Sequence, residues 1–202
     1  MVNEFNIVLA GVGGQGILLA AEILGTAAVK DGLNVRVSEI HGMAQRGGAV
    51  VSNVRMGAKV LAPTVLDGNA NVLLGFEPME TLRNMKFASE KTIVIMNSEK
   101  IMPTELTAKK ARYPSLEEII QRINTFTKNV FVIEASRLAK EAGNIMAQNT
   151  VLLGALAAVG KIPVKTETLI EALRELVPQR QLKVNIEAFN LGYEKAMEIA
   201  KP

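Results

Sequence analysis

Gly11, Gly13 and Gly16 fall in a G-x-G-x-x-G spacing, with Gly14 between them, directly after the apolar run Phe5–Ala10 and before the apolar stretch Ile17–Lys30. The chemistry open to such a segment is anion binding. One glycine permits a tight turn, the next lets backbone approach a ligand or a neighbouring chain, and the third lets helix pack closely on strand. The free N–H groups of the helix start attract a phosphate or carboxylate. A second glycine-framed segment, His41-Gly42-Met43-Ala44-Gln45-Arg46-Gly47-Gly48, holds the chain's single imidazole and a guanidinium. Arg46, between Gln45 and the pair Gly47-Gly48, can grip a carboxylate or phosphate through two parallel hydrogen bonds; an ion pair within its own loop is the plainer use. His41 is either a hydrogen-bonded structural residue or a group that faces a ligand and handles protons. Glu77, Glu80 and Arg83 stand at a strand exit and on the next helix, where Glu80 and Arg83, three apart, pair. No G-x-S-x-G elbow, no Cys and no His at a recognisable spacing from a carboxylate is present, so nucleophilic catalysis has no candidate.

The elements that must position these residues read as alternating strands and helices. Phe5–Ala10 has the continuous apolar character of a buried parallel strand. The helix Ile17–Lys30 shows only a narrow polar stripe, Glu22, Thr26 and Lys30, which fits a helix tucked between sheet and helix or a face reserved for a partner subunit. Leu33–Ile40 is a second strand with Val35, Val37 and Ile40 as its apolar side. Its acid Glu39 stands about 20 residues past the glycines, where a dinucleotide-binding fold bonds a ribose. The segment from His41 to Gly48 is expected as a loop, and Ala49–Met56 as the next strand. Further strands are expected at Asn71–Phe76, Thr92–Met96 and Val130–Ile133. Helices are expected from Pro78 to Asn84, from Ser115 with a capping box to Glu118, and over Glu134–Ala142 closed by Gly143. The run Asn149–Val159 is a helix apolar nearly all round, with Gly154 allowing close backbone approach. Thr166 is expected to cap a helix with core residues Leu169, Ile170, Leu173 and Leu176, ending before Pro178. A last helix from about Val184 presents Ile186, Phe189, Tyr193 and Met197 on one face. The pattern is α/β, Rossmann-like, a mostly parallel sheet with helices on both faces, within a single domain over 1–202.

Composition sets outer bounds. The 202 residues are 49% hydrophobic and 21% charged, an ordinary globular balance, and the net charge of +3 is too small to argue for nucleic acid. Zero Cys removes disulfides, thiolate nucleophiles and Cys-ligated clusters, and one His removes a self-contained His-type zinc site. Any redox centre is then an organic cofactor or belongs to another chain. No signal peptide opens the sequence and no apolar run approaches the ~18 residues of a membrane span. A soluble, cytoplasmic protein is expected.

Three segments, GVGGQGILLAAEILG (Gly11–Gly25), SEIHGMAQRGGAVVSNVRMG (Ser38–Gly57) and GNANVLLGFEPMETLR (Gly68–Arg83), resemble the γ-type domain of 2-oxoacid:ferredoxin oxidoreductases. AQNTVLLGALAA (Ala147–Ala158) and KVNIEAFNLGYE (Lys183–Glu194) are similar too, so the resemblance spans nearly the whole chain. Within the family, a free-standing chain of this size carrying the His41–Gly48 segment is most similar to the corresponding subunit of indolepyruvate enzymes, with the γ subunit of pyruvate or 2-oxoglutarate enzymes as close rival. The resemblance implies oxidative decarboxylation of aryl pyruvates to aryl-acetyl thioesters of coenzyme A, with electrons passed to ferredoxin. It places thiamine diphosphate, its magnesium and the iron–sulfur clusters on a larger partner subunit, and no cofactor on this chain, which is inactive alone. It also makes Gly11, Gly13, Gly14 and Gly16 the first βα turn. The loop His41, Gln45, Arg46, Gly47 and Gly48 then faces substrate or coenzyme A. Two other functions fit the residues: a self-sufficient NAD- or FAD-binding oxidoreductase using Gly11–Gly16 and Glu39, and a homodimeric module that binds an anionic metabolite at the first helix start.

Overall fold

A computed structural model describes residues 2–42, 47–102 and 112–201. The strands are β1 (Phe5–Val12), β2 (Asn34–His41), β3 (Ala49–Gly57), β4 (Val72–Gly75), β5 (Ile93–Asn97) and β6 (Val130–Ile133). They form one sheet in the order β2-β3-β1-β4-β5-β6. β1, β4, β5 and β6 run parallel, while β3 lies antiparallel to both β1 and β2. Seven α-helices are described: α1 (Ile17–Lys30), α2 (Pro78–Arg83), α3 (Leu116–Ile123), α4 (Ala135–Glu141), α5 (Gln148–Val159), α6 (Thr166–Leu176) and α7 (Gln179–Ala200).

Alternation along β1 divides the core. Ile7 and Leu9 face α1, α4, α5, α6 and α7, whereas Val8 and Ala10 face a thinner layer of α2, the turn Met85–Phe87 and α3. This two-sided burial explains why the parallel strands read as continuous apolar runs. The expected helix starts are realised by local chemistry. The Ser115 Oγ accepts from Glu118 N–H at 3.1 Å, and a Glu118 carboxylate oxygen takes the Ser115 N–H at 2.7 Å, completing the capping box. Glu77 caps α2 by accepting from the Glu80 N–H at 2.9 Å, with Pro78 in the first turn.

Several expectations are corrected. Thr166 does not cap α6; Lys165 is the N-cap and no side chain caps the helix amides, its start being tied instead to the carboxylate oxygens of Asp31, just past α1. They accept from the Lys165 N–H at 2.7 Å and the Thr168 hydroxyl at 2.8 Å. The last helix starts at Gln179, immediately after Pro178, rather than at Val184. Its buried face is Asn185, Ala188, Phe189, Gly192 and Ala196, leaving Met197 exposed, because α7 crosses α5 along its small residues. Val35, Val37 and Ile40 do not share a face: strand alternation turns Val35 and Val37 toward α1 and Ile40 away. The nearly unbroken apolar character of α5 has an internal cause. The sheet, α4, α1 and α7 enclose it, so it reserves no face for a partner.

Candidate functional site

Where β1 leaves the sheet, the chain turns through Gly13 and Gly14 into α1. Gly14 and Gly16 have φ of 100° and 75°, left-handed values that a side chain would strain. Gln15 stands between them, and its side chain folds back under the turn. Its Oε1 accepts from the Val12 N–H at 2.8 Å and its Nε2 donates to the Phe76 carbonyl at 2.8 Å, tying the exit of β1 to that of β4. Close packing on the strand, expected at the third glycine, falls to the first. A Cβ on Gly11 would lie 2.6 Å from the Gln15 Oε1 and 2.7 Å from the Phe76 Cβ. Gly16 instead adjoins α5, where the Asn149 Nδ2 donates to its carbonyl at 3.3 Å.

The ladder between β2 and β3 continues further than expected. His41 belongs to β2, opposite Val50, and the Gly42 N–H donates to the Ala49 carbonyl at 2.8 Å. The end of this hairpin is bound to the glycine turn. The Gly13 N–H donates to the Gly48 carbonyl at 2.9 Å and the Gly47 N–H to the Gly13 carbonyl at 3.4 Å. The structure thus brings together the two glycine-framed segments. Gln45 and Arg46 lie outside the described residues.

Between the turn and the hairpin lies a cleft of about 740 Å³, lined by Val12, Gly13, Gly14, Gly16, Ile17, Leu18, Leu19, His41, Gly42 and Val50. It opens at the carboxyl end of the parallel strands, the edge at which open α/β sheets bind ligands. The first amides of α1 have no intrahelical acceptor and no side chain caps them, so the cleft offers donors to an anion beside an apolar wall. Among the described residues its only titratable lining group is His41, whose Nε2 is 3.3 Å from the Glu39 carboxylate on the exposed strand edge. The arrangement can bind and orient a molecule with an anionic end and an apolar body; among the described residues no Ser, Thr, Cys or Lys lines it.

Glu39 does not reach the place of a ribose-binding acid. That role needs the second strand beside the first, and here β3 intervenes, putting Glu39 two strand spacings, about 10 Å, from β1. Glu80 and Arg83 form the expected ion pair. Burial raises the Glu80 carboxyl above the ordinary carboxylate range, against the pull of Arg83. Glu77 is 1% exposed and takes the Tyr113 hydroxyl as well as the Ile101 N–H at 3.3 Å. Burial first, then this bond to a carboxylate, pushes the Tyr113 hydroxyl well above its usual range. None of these residues lines the cleft.

Sequence reasoning missed the polar groups that brace the cleft from behind. Asn97, 1% exposed, ends β5; its Oδ1 accepts from the Ala135 N–H at 3.1 Å and its Nδ2 donates to the Phe76 carbonyl at 3.3 Å. Beside the Asn149 bond to Gly16, the Thr150 hydroxyl donates to the Asn185 Oδ1 at 2.6 Å, joining α5 to α7. The available signal was a polar side chain inside an otherwise apolar run: Gln15 among glycines, Asn149 and Thr150 ahead of VLLGALAAV.

A model of the pyruvate ferredoxin/flavodoxin oxidoreductase family matches residues 6–195. An indolepyruvate oxidoreductase subunit IorB of Pyrococcus horikoshii is 43% identical over 199 residues, covering 98% of both chains. A solved keto/oxoacid ferredoxin oxidoreductase gamma subunit from Geobacter sulfurreducens has a TM-score of 0.69 at 26% identity, over 96% of this chain and 99% of that one. The fold also recurs, with a TM-score of 0.76 at 22% identity, in 2-oxoglutarate:ferredoxin oxidoreductase from Magnetococcus marinus, where all of this chain matches 32% of a longer one. With nearly the whole sequence matched, the chain belongs to the pyruvate ferredoxin/flavodoxin oxidoreductase family and is a subunit of a 2-oxoacid:ferredoxin oxidoreductase.

Proposed function

We propose that this chain is the small subunit of an indolepyruvate-type ferredoxin oxidoreductase. In this reading it shapes the binding surroundings of an aryl pyruvate or of coenzyme A, and a larger subunit carries the cofactors. The complex takes an arylpyruvate and coenzyme A to carbon dioxide and an aryl-acetyl thioester. The C1–C2 bond breaks, the thiol S–H gives way to a thioester bond at C2 with release of its proton, and two electrons pass to two ferredoxins. The observation that carries the reading is the cleft itself: two glycine-framed segments joined through Gly13, Gly47 and Gly48, with uncapped amides and, among the described residues, no Ser, Thr, Cys or Lys in its lining. The chain's residues do not fit the redox groups. It has no Cys for iron–sulfur thiolates, and among the described residues no three of His, Cys, Asp or Glu converge on a metal position. Among the described residues no helix is long and apolar enough to cross a membrane.

Gln45 and Arg46 enter the proposal through their place between Gly42 and Gly47, Arg46 as the cation for a carboxylate or phosphate. The indolepyruvate reading is preferred over the pyruvate or 2-oxoglutarate one because the IorB relative is 43% identical and the keto/oxoacid gamma subunit 26%. The insertion of β3 between β1 and β2 speaks against the NAD or FAD reading, since it removes the acid from the ribose position. Co-purification from native cytosol is expected to bring down a large, Cys-rich, thiamine-containing subunit. In that assembled enzyme Arg46→Ala raises KM for coenzyme A or arylpyruvate about 10- to 100-fold, the loss of one charge-assisted hydrogen bond. Unchanged kinetics would remove Arg46 from the site, and saturable NAD or FAD turnover by the purified chain alone would remove the reading.

A further inference from the structure

The outward stripe of α1 is unlike that of a solvent-facing helix. Leu18, Glu22, Gly25, Thr26, Val29 and Lys30 form one wall of a trench of about 840 Å³, and Val35, Val37 and Glu39 of the edge strand β2 form the other. Leu18, Val29 and Val37 are 41%, 59% and 40% exposed, large apolar side chains gathered on one surface. Gly25 sits in the wall although this fold does not need a glycine there. An added Cβ would make an ordinary contact, 3.5 Å from Val37 Cγ2, and the missing methyl deepens the trench. Leu18 also lines the cleft at the glycine turn, so the trench and the candidate site adjoin at that side chain.

Charge selects the occupant. Among the described residues three carboxylates and one cation line the trench, and the cation, Lys30, is bound to Glu175 at 3.0 Å. Glu22 and Glu39 remain, the second beside His41. A second copy docked trench to trench, as a two-fold dimer through this face requires, would bring the same carboxylates and the same committed lysine. We propose that the trench seats a segment of the larger subunit in which apolar side chains cover Leu18, Val29 and Val37, and Lys or Arg groups meet Glu22 and Glu39. The seat would fix the small subunit's cleft against the partner. This inference rests on the heteromeric reading above.

The test is binding of purified chain to the larger subunit, followed by analytical ultracentrifugation at ~50 and ~500 mM salt. The wild type is compared with Val29→Glu/Val37→Glu, Glu22→Lys/Glu39→Lys and the surface control Lys128→Glu, exposed just before β6 at the opposite edge of the sheet. The thermal melt of each isolated variant guards against misfolding. Expected are wild-type binding that weakens with salt, at least ~tenfold weaker binding for both trench variants with unchanged melts, and no effect of the control. Wild-type affinity in both trench variants overturns the inference and leaves the heteromeric reading standing. A wild-type chain that does not bind the larger subunit at all overturns the reading and the inference with it. A wild-type homodimer that Val29→Glu/Val37→Glu makes monomeric overturns it in favour of a second copy.

Discussion

Gly154→Ala is the sharpest test of how α5 and α7 are held. An alanine inside a helix is ordinarily favoured over glycine by about 1 kcal/mol, so propensity alone predicts a more stable protein. The crossing predicts the reverse. A Cβ at Gly154 would overlap the Phe189 carbonyl oxygen and come 2.8 Å from its carbonyl carbon and 3.0 Å from the Tyr193 nitrogen. Across the same crossing, a Cβ at Gly192 would overlap the Val151 carbonyl oxygen and lie 2.7 Å from its carbon. These neighbours are helix backbone, which has no rotamer to move away. Carbon–carbon separations settle near 3.5–4.0 Å, so the helices must part by about 1 Å. That opens the interface around Val151, Leu152 and Ala188, all 0% exposed. Overpacking of this kind costs about 2 kcal/mol, and the weakened packing along the opened interface adds about 1–2 kcal/mol. After subtracting the propensity gain, a net loss of about 2–3 kcal/mol is expected. At ~2–4 °C per kcal/mol for a chain of this length, the melting temperature falls by roughly 4–12 °C. Equilibrium urea unfolding and calorimetry of the purified chain check this. The double variant Gly154→Ala/Gly192→Ala should cost less than the sum of the singles, because the first separation makes room for the second methyl. An unchanged or raised melting temperature for Gly154→Ala refutes the packing argument.

Gln15→Leu should cost about 1–3 kcal/mol in urea unfolding, because the buried Val12 N–H loses its side-chain acceptor while the Phe76 carbonyl keeps only the Asn97 amide; accelerated hydrogen exchange at the Val12 amide would localise the damage to the turn. Asp31→Ala should destabilise by ~1 kcal/mol in urea unfolding, because the start of α6 loses its two hydrogen bonds to the end of α1, and Asp31→Asn should recover most of it. For Glu4, the Asn6 amide and then Arg55 hold the carboxyl below its ordinary 4.5, so its contribution is present above pH 4.5 and lost as pH falls through the lowered value. Its side chain is 40% exposed, so Glu4→Gln should cost no more than ~1 kcal/mol near neutrality, with the gap to wild type closing in acid as read from unfolding midpoints against pH.

Much of the sheet was legible because burial on both faces writes itself as unbroken apolar runs. Phe5–Val12, Val72–Gly75 and Ile93–Asn97 stand where the sequence puts strands, and Ser115 caps α3 as its spacing to Glu118 requires. What local pattern could not show were long-range partners. The start of α6 is held by Asp31, 134 residues before Lys165, and nothing next to Thr166 in the sequence announces it. The early start of α7 is hidden because Gln179–Lys183 is polar and exposed but for the half-buried Leu182, leaving little hydrophobic period to read.

The same limit explains the site. The spacing of Gly11, Gly13 and Gly16 is shared with dinucleotide-binding turns, and Glu39 stands at the matching distance along the chain. Distance along the chain is not distance across a sheet. In a parallel arrangement Glu39 would end the strand beside β1; here the chain turns back through Gly42 and Gly48, and β3 takes that position antiparallel. The exchange has two consequences that follow from one another. It moves the acid away from the glycines, and it brings the hairpin end onto them through Gly13. A turn that would present its amides to a cofactor's pyrophosphate, with an acid ready for the ribose, instead shares its cleft with His41, Gly42 and Val50. The edge strand β2, pushed outward by the same insertion, keeps Val37 uncovered beside Leu18 and Val29. One reversal in the chain thus accounts for both the lost nucleotide geometry and the open face along α1.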